Sequence, residues 1–333
     1  MMSEMRWHPL LRQWVVTAAH RQERTYKPPR EYCPLCPTAP GAFPTEVPAS
    51  EYEIVVFENR FPSFRPDPPE PGVEGSELYP VRPAKGVCEV VLYSQDHTAT
   101  LPEMPLIHIE RLVQVWTDRY VDLGSRDEVE YVLIFENRGE AVGVTLHHPH
   151  GQIYAFPYIP PIPRAELEAA EAHRRERGRC LLCDVVAEEE RGPRVLWQDP
   201  RFSAYVPFFA RYPYEVHIAA RAHVPSLAEM DAAHRLSLAR AIKTVGIAYD
   251  HLFGFRLPYM MVMHQKPTDG REHPGAHFHV EFYPLNRTAD KLKYLAGCES
   301  GAGTFITDMA PETQAERLRE ALERGRHLLE ELV

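Results

Sequence analysis

No apolar run in this chain is long enough to cross a bilayer, and its first residues, "MMSEMRWHPLLRQW", lack the basic-then-apolar order of a secretion signal. Both absences lead us to expect a cytoplasmic protein with no membrane partner. Basic charge is also short: 37 Lys and Arg against 47 Asp and Glu leave a formal net charge of -10. A face that neutralises many phosphates is therefore not expected, which argues against nucleic acid as a partner, while a local basic pocket for a small phosphate ester remains compatible. Cysteine is sparse, with six in 333 residues. Four of them nevertheless fall in two C-x-x-C pairs, Cys33/Cys36 and Cys180/Cys183, leaving Cys88 and Cys298 apart. In a reducing compartment such pairs bind zinc or do redox chemistry. A redox pair would sit between a strand and a helix of a parallel unit, and no such unit is visible, so zinc is the reading we adopt.

What is present is a globular composition, 44% hydrophobic, enough to bury a large core. Proline-rich stretches punctuate it, and the one at 156–164, "FPYIPPIPR", leads into the charged helical run "RAELEAAEAHRRERG". A boundary there divides the chain into 1–164 and 165–333. Each part has the same order of elements: a C-x-x-C pair, short strands with alternating hydrophobicity, one long helix, then two more strands. The helices are expected around "MPLIHIERLVQVWTDRYVDLG" and "LAEMDAAHRLSLARAIKTVGIAYDHLFG", and the closing strands in "EYVLIFENRG", "HGQIYAF", "PYMMVMHQ" and "HFHVEFYP". Matched landmarks, Cys33 with Cys180, His97 with His223 and His148 with His277, mark a duplicated unit. The expected fold class is therefore α+β, with antiparallel sheets and one long helix per half.

Tetrahedral zinc wants four donors, and a C-x-x-C turn with two histidines supplies them. The first half offers Cys33, Cys36, His97 and His148; the second offers Cys180, Cys183, His223 and His277. Four protein ligands leave no open position, so both sites are expected to be structural. The stretch "TLHHPHGQIYAF" then assigns its histidines by alternation: residues two apart on an extended segment share a face, so His148 reaches the metal and His150 a substrate. Gly151 leaves the backbone open to a phosphate, Gln152 returns to the substrate face with an amide donor, and His147 points to neither.

The segment His148-Pro149-His150-Gly151-Gln152 resembles the active-site motif of the galactose-1-phosphate uridylyltransferase family, a branch of the histidine triad superfamily, and the resemblance runs over essentially the whole chain. It implies two histidine-triad-like domains. It also implies an exchange of UMP between UDP-glucose and galactose 1-phosphate through a uridylyl adduct on His150. Phosphate-binding arginines match Arg21 and Arg24 in "AAHRQER", and pocket asparagines match Asn59 in "FENRFPSF" and Asn137 in "IFENRG". The segment "KYLAGCESGAG" places Lys293 and Glu299 at hexose positions supplied by the other subunit of a homodimer. The chain departs from the pattern at Thr145-Leu146-His147 and at Cys298. Some members build the second metal site from one glutamate and three histidines, which would draw on His264, His277 and His279 and could hold iron. The thiolates favour Cys180, Cys183, His223 and His277 with zinc. Two other readings stay open: an ADP-sugar phosphorylase or adenylyltransferase using the same histidine, and a zinc-stabilised nucleotide-binding protein without catalysis.

Overall fold

The alternating stretches form strands because each presents one face to a shared core. A computed structural model describes residues 3–23, 27–39, 41 and 44–330. Its strands are β1 (Glu4–His8), β2 (Gln13–Thr17), β3 (Val55–Glu58), β4 (Val81–Pro83), β5 (Val87–Leu92), β6 (Tyr131–Arg138), β7 (His150–Phe156), β8 (Val195–Gln198), β9 (Phe202–Tyr205), β10 (Val216–Ala220), β11 (Tyr259–His264) and β12 (His279–Pro284). Its main helices are α1 (Leu106–Gly124), α2 (Pro161–Arg177), α3 (Leu181–Glu189), α4 (Ala232–Leu252), α5 (Gly297–Ala302) and α6 (Pro311–Gly325). Strands β2, β1 and β4 make a small antiparallel sheet, and the other nine form one sheet in the order β3-β5-β7-β6-β11-β12-β10-β9-β8.

The α+β class and the duplication are both present. The first half contributes β3-β5-β7-β6 and the second β9-β10-β12-β11, the same order read outward from a seam between β6 and β11, with β8 added at the far edge. The register is symmetric across that seam. Phe135 and Val262 both pair with the third residue of their neighbouring His-x-Gln or His-x-Glu strand, Gln152 and Glu281, and they face each other. By the same register Asn137 corresponds to His264, His150 to His279 and Val90 to His217.

Strand β7 has the period of two that a half-covered strand requires: Gly151, Ile153 and Ala155 are buried, while His150, Gln152 and Tyr154 are half-buried. The buried set faces the main core with Val91, Val132 and Ile134. On α1 the buried residues Ile109, Leu112, Val113, Trp116, Tyr120 and Leu123 recur at helical spacing and make one apolar stripe. Helix α4 starts where the Asp231 side chain accepts the His234 N–H, and it packs between α1 and α6. With α1 and α4 covering that face, the opposite face of the sheet carries the side chains of Phe57, Val90, Phe135, His150 and Gln152. No helix among the described residues is long and apolar enough to cross a membrane.

Candidate active site and metal clusters

On that opposite face, β3, β5, β7 and β6 hold Phe57, Val90, Gln152 and Phe135 side by side and form the floor of a cavity of about 310 Å³. Its walls differ in chemistry. Leu35, Phe57, Val90 and Leu146 belong to one apolar cluster, suited to a flat base, whereas Arg21, His150, Gln152 and Tyr154 make the other wall polar. His150 opens β7, and its Nδ1 lies 2.8 Å from the His148 carbonyl oxygen. That carbonyl accepts the Nδ1 proton, which leaves Nε2 with its lone pair free for attack. Burial holds the ring's pKa below the ordinary histidine value, so the neutral, nucleophilic form is favoured. Arg21 Nη1 donates to the Phe61 carbonyl at 3.0 Å, to Ser63 Oγ at 2.9 Å and to Tyr154 Oη at 3.2 Å, so its charge is fixed at the cavity wall. Asn59 Oδ1 accepts the Phe61 N–H at 2.9 Å, which turns its amide edge toward the cavity that it lines with Asn137.

Gly151 has a different reason from substrate approach. His150 and Gln152 point into the cavity, so a Cβ between them would point into the core, where it would overlap the Tyr93 hydroxyl and come within 3.1 Å of the Phe135 carbonyl oxygen. The glycine is demanded by Tyr93 beneath the strand.

The two cysteine and histidine sets are each brought together. Cys33, Cys36, His97 and His148 offer one ligand atom apiece within 4.8 Å of one another, and so do Cys180, Cys183, His223 and His277. His97 Nδ1 is 3.4 Å and His148 Nδ1 3.5 Å from Cys36 Sγ. His148 Nε2 is 2.8 Å from the Ser94 carbonyl oxygen, and in the second half His277 Nε2 is 2.8 Å from the Ala220 carbonyl oxygen. Each carbonyl takes the Nε2 proton and turns Nδ1 toward the thiols, the outer-layer arrangement that orients metal-ligating histidines. Burial, reinforced by the neighbouring thiol, pushes Cys36 and Cys183 up to about 12, so a thiolate at either position requires a cation beside it. Burial also lowers His148 and His277 to about 4, keeping both rings neutral, as ligands must be. The donor chemistry fits zinc at both places.

Other expected residues lie elsewhere. Arg24 falls outside the described residues. His147 is exposed and its Nε2 is 3.6 Å from Glu140 Oε1, away from metal and cavity alike. Lys293 and Glu299 do not line the cavity of their own chain: Lys293 Nζ lies 2.9 Å from Glu299 Oε1 and 2.6 Å from the Ile306 carbonyl oxygen. Reading the sequence did not single out Tyr154, which braces Arg21, or Tyr52, whose hydroxyl sits 2.7 Å from His148 Nε2. Tyr154 follows Gln152 by two, so the alternation that placed Gln152 was a usable signal for it.

Both halves keep a His-x-His whose second histidine opens a strand and whose first lies in a thiol cluster, and the first half keeps beside it a cavity with one apolar and one polar wall. That combination defines a duplicated histidine-triad-like α+β fold. Its branch follows from known proteins: residues 1–160 match the N-terminal domain and residues 166–331 the C-terminal domain of galactose-1-phosphate uridyl transferase, and the chain belongs to that family. It is 43% identical to the galactose-1-phosphate uridylyltransferase of Thermotoga maritima, over 96% of this chain and 98% of that one. A solved uridylyltransferase superposes with a TM-score of 0.85 at 34% identity, covering 96% of this chain and 99% of the other. An ADP-glucose phosphorylase from Arabidopsis thaliana shares the fold, with a TM-score of 0.73 at 23% identity and coverage of 96% and 99%.

Proposed function

We propose that this chain is a UDP-glucose:hexose-1-phosphate uridylyltransferase in which His150 is the nucleophile. The observation that supports this most directly is the 2.8 Å contact of His150 Nδ1 with the His148 carbonyl, which leaves Nε2 as the attacking atom inside the cavity. In the first displacement the Nε2 lone pair forms a bond to the α-phosphorus of UDP-glucose. The bond from that phosphorus to the bridging oxygen breaks, and glucose 1-phosphate leaves with the electron pair. In the second, a phosphate oxygen of galactose 1-phosphate attacks the same phosphorus, the N–P bond breaks, and UDP-galactose is released with His150 restored. Splitting the exchange in two is what a covalent nucleophile contributes. Arg21 and the Gln152 amide hold charge on the non-bridging oxygens, a type of stabilisation whose loss costs about 10²–10³ in kcat per donor. Arg24 is assigned the same role by resemblance. Asn59 and Asn137 bind the nucleoside portion against the apolar wall.

Zinc at each two-cysteine, two-histidine cluster supplies a fixed crosslink and takes no part in the displacements. Lys293 and Glu299 reach a hexose in the partner subunit's cavity in a homodimer. Exposed Tyr294, Leu295 and Ile306 around them are consistent with a face that is covered by a second chain. A cytoplasmic setting suits thiols arranged for a metal.

The deciding assay offers UDP-glucose with galactose 1-phosphate in parallel with ADP-glucose and inorganic phosphate. Exchange with the first pair, and a nucleotidyl adduct that His150→Ala cannot form, is the expected result. Turnover of the ADP-glucose pair alone makes the chain a phosphorylase, and no adduct with any nucleotide sugar removes catalysis altogether.

A further inference from the structure

Strand β7 turns three polar side chains to the cavity in alternation, His150, Gln152 and Tyr154, and the proposed displacements use only the first two. The ring of the third is fixed by its neighbours. Phe135 meets it edge-on with ring centroids 5.1 Å apart, Phe64 does so at 6.4 Å, and Phe156 lies tilted at 6.0 Å. A phenol held this way keeps one freedom, the rotation of its hydroxyl proton.

The contacts of the oxygen decide that rotation. Arg21 Nη1 lies 3.2 Å from Tyr154 Oη, and a guanidinium can only donate, so Oη is the acceptor there. The hydroxyl proton must then point elsewhere, and Gln152 Oε1 accepts it at 3.5 Å on the same face of the strand. Burial raises the Tyr154 pKa above the ordinary tyrosine value, which keeps the proton on the oxygen. The sense of this bond matters because a glutamine amide has two ends of opposite character. With Oε1 held by the hydroxyl, the NH2 end is left for a phosphoryl oxygen; the reversed amide would set Oε1 against that oxygen and repel it. Arg21 is turned in a related way. Its contacts with the Phe61 carbonyl, Ser63 and Tyr154 all fall on Nη1, which among the described residues leaves Nη2 and Nε for an anion. One hydroxyl therefore stands between the two groups assigned to the transferring phosphoryl oxygens.

We propose that Tyr154 is a positioning residue for the transfer: anchored by Arg21, its hydroxyl holds Gln152 Oε1 and aims the Gln152 NH2 at the phosphorus centre, a role that rests on the His150 chemistry proposed above. At 3.5 Å the bond to Gln152 is long, as hydrogen bonds of catalytic groups are before a substrate draws them in. A contact that tightens as charge builds on the phosphoryl oxygens speeds the chemical step more than it strengthens binding.

Tyr154→Phe keeps the ring and its three aromatic neighbours, and Arg21 retains two other acceptors, so the variant should melt close to wild type. Rapid-quench measurement of the nucleotidyl adduct on full-length protein, across a range of UDP-glucose concentrations, is the test. The maximal rate should fall about tenfold, with the half-saturating concentration changed less than about twofold. In a Gln152→Ala background the same substitution should cost less than about twofold, because no amide is left to hold. A wild-type rate in Tyr154→Phe overturns the proposal. So does an equal loss in both backgrounds, which would mean that the hydroxyl does not act through Gln152, and so does a loss confined to the half-saturating concentration. Those three outcomes require an adduct on wild type and leave the uridylyltransferase reading standing. Failure of wild type to form an adduct with any nucleotide sugar is a different result, which removes that reading and the role of Tyr154 with it.

Discussion

Two side chains buried on the core side of the sheet, Tyr93 and Glu136, carry most of the residue-scale argument. Beneath β7, Tyr93 occupies the space a Cβ at Gly151 would need. Gly151→Ala should displace His150 relative to Gln152 and cost about 1–3 kcal/mol, the usual range for overpacking. Urea denaturation and the rate of adduct formation should both fall, and Tyr93→Phe should recover part of each by removing the hydroxyl. On β6, Glu136 is buried, and burial raises its carboxyl to about 7, with Tyr259 Oη donating to it at 3.5 Å. Because the folded value lies above that of the unfolded chain, the folded state binds the proton more tightly. Stability is therefore fully present below about 4.5 and is lost as pH rises toward 7. Glu136→Gln should gain on wild type across that window, by at most about 3 kcal/mol above it. Denaturation midpoints of the two proteins that run parallel from pH 4 to 8 would refute this.

Among the elements, the turn that carries the first thiol pair has two tasks. Cys33 and Cys36 face the metal cluster, while Pro34 and Leu35 between them form part of the cavity wall. Loss of the cation should therefore loosen the wall against which a base would lie without touching His150. We expect Cys36→Ser to lose one metal per chain and to melt at lower temperature. Its KM for UDP-glucose should rise roughly tenfold, about 1.4 kcal/mol, with a smaller change in kcat. An unaltered KM in a variant shown to lack the metal would separate the turn from the site. The strands and long helices around it were legible because each has one consistent period. The small sheet of β1, β2 and β4 was not, since strands of three to five residues without clear alternation carry too little pattern. Helix α3 was missed because it starts inside the second thiol pair, with Cys180 as its N-cap and Cys183 in its first turn, where the C-x-x-C spacing reads as a metal turn.

At the scale of the whole molecule, the seam between β6 and β11 makes the two halves one sheet. Residues 1–160 expressed alone would expose the full eight-residue edge of β6, a template for further strand pairing. Size-exclusion and thermal melting of that fragment should show aggregation or no cooperative transition; a monomer with a sharp melt would show that the halves are independent. The same seam relates Gln152 to Glu281 and Asn137 to His264 on one face of one sheet, so that the exchange of an amide for a carboxylate and of an asparagine for an imidazole can be followed position by position.

The sequence alone determined the duplication, the α+β class, the two thiol and histidine sets and the placing of His148 at the thiols and His150 at the cavity. All of these rest on local spacing and on the alternation of a strand, which a linear chain displays. Tertiary structure decided the rest: that His148 supplies the carbonyl fixing the His150 tautomer, that Tyr93 dictates Gly151, and that Lys293 turns to Glu299 within its own chain. It also decided that Glu166 and Glu281 join His264 and His279 while His277 stays with the cysteines. These depend on which backbone and side-chain atoms meet after strands distant in sequence have paired, and neither composition nor period contains that information.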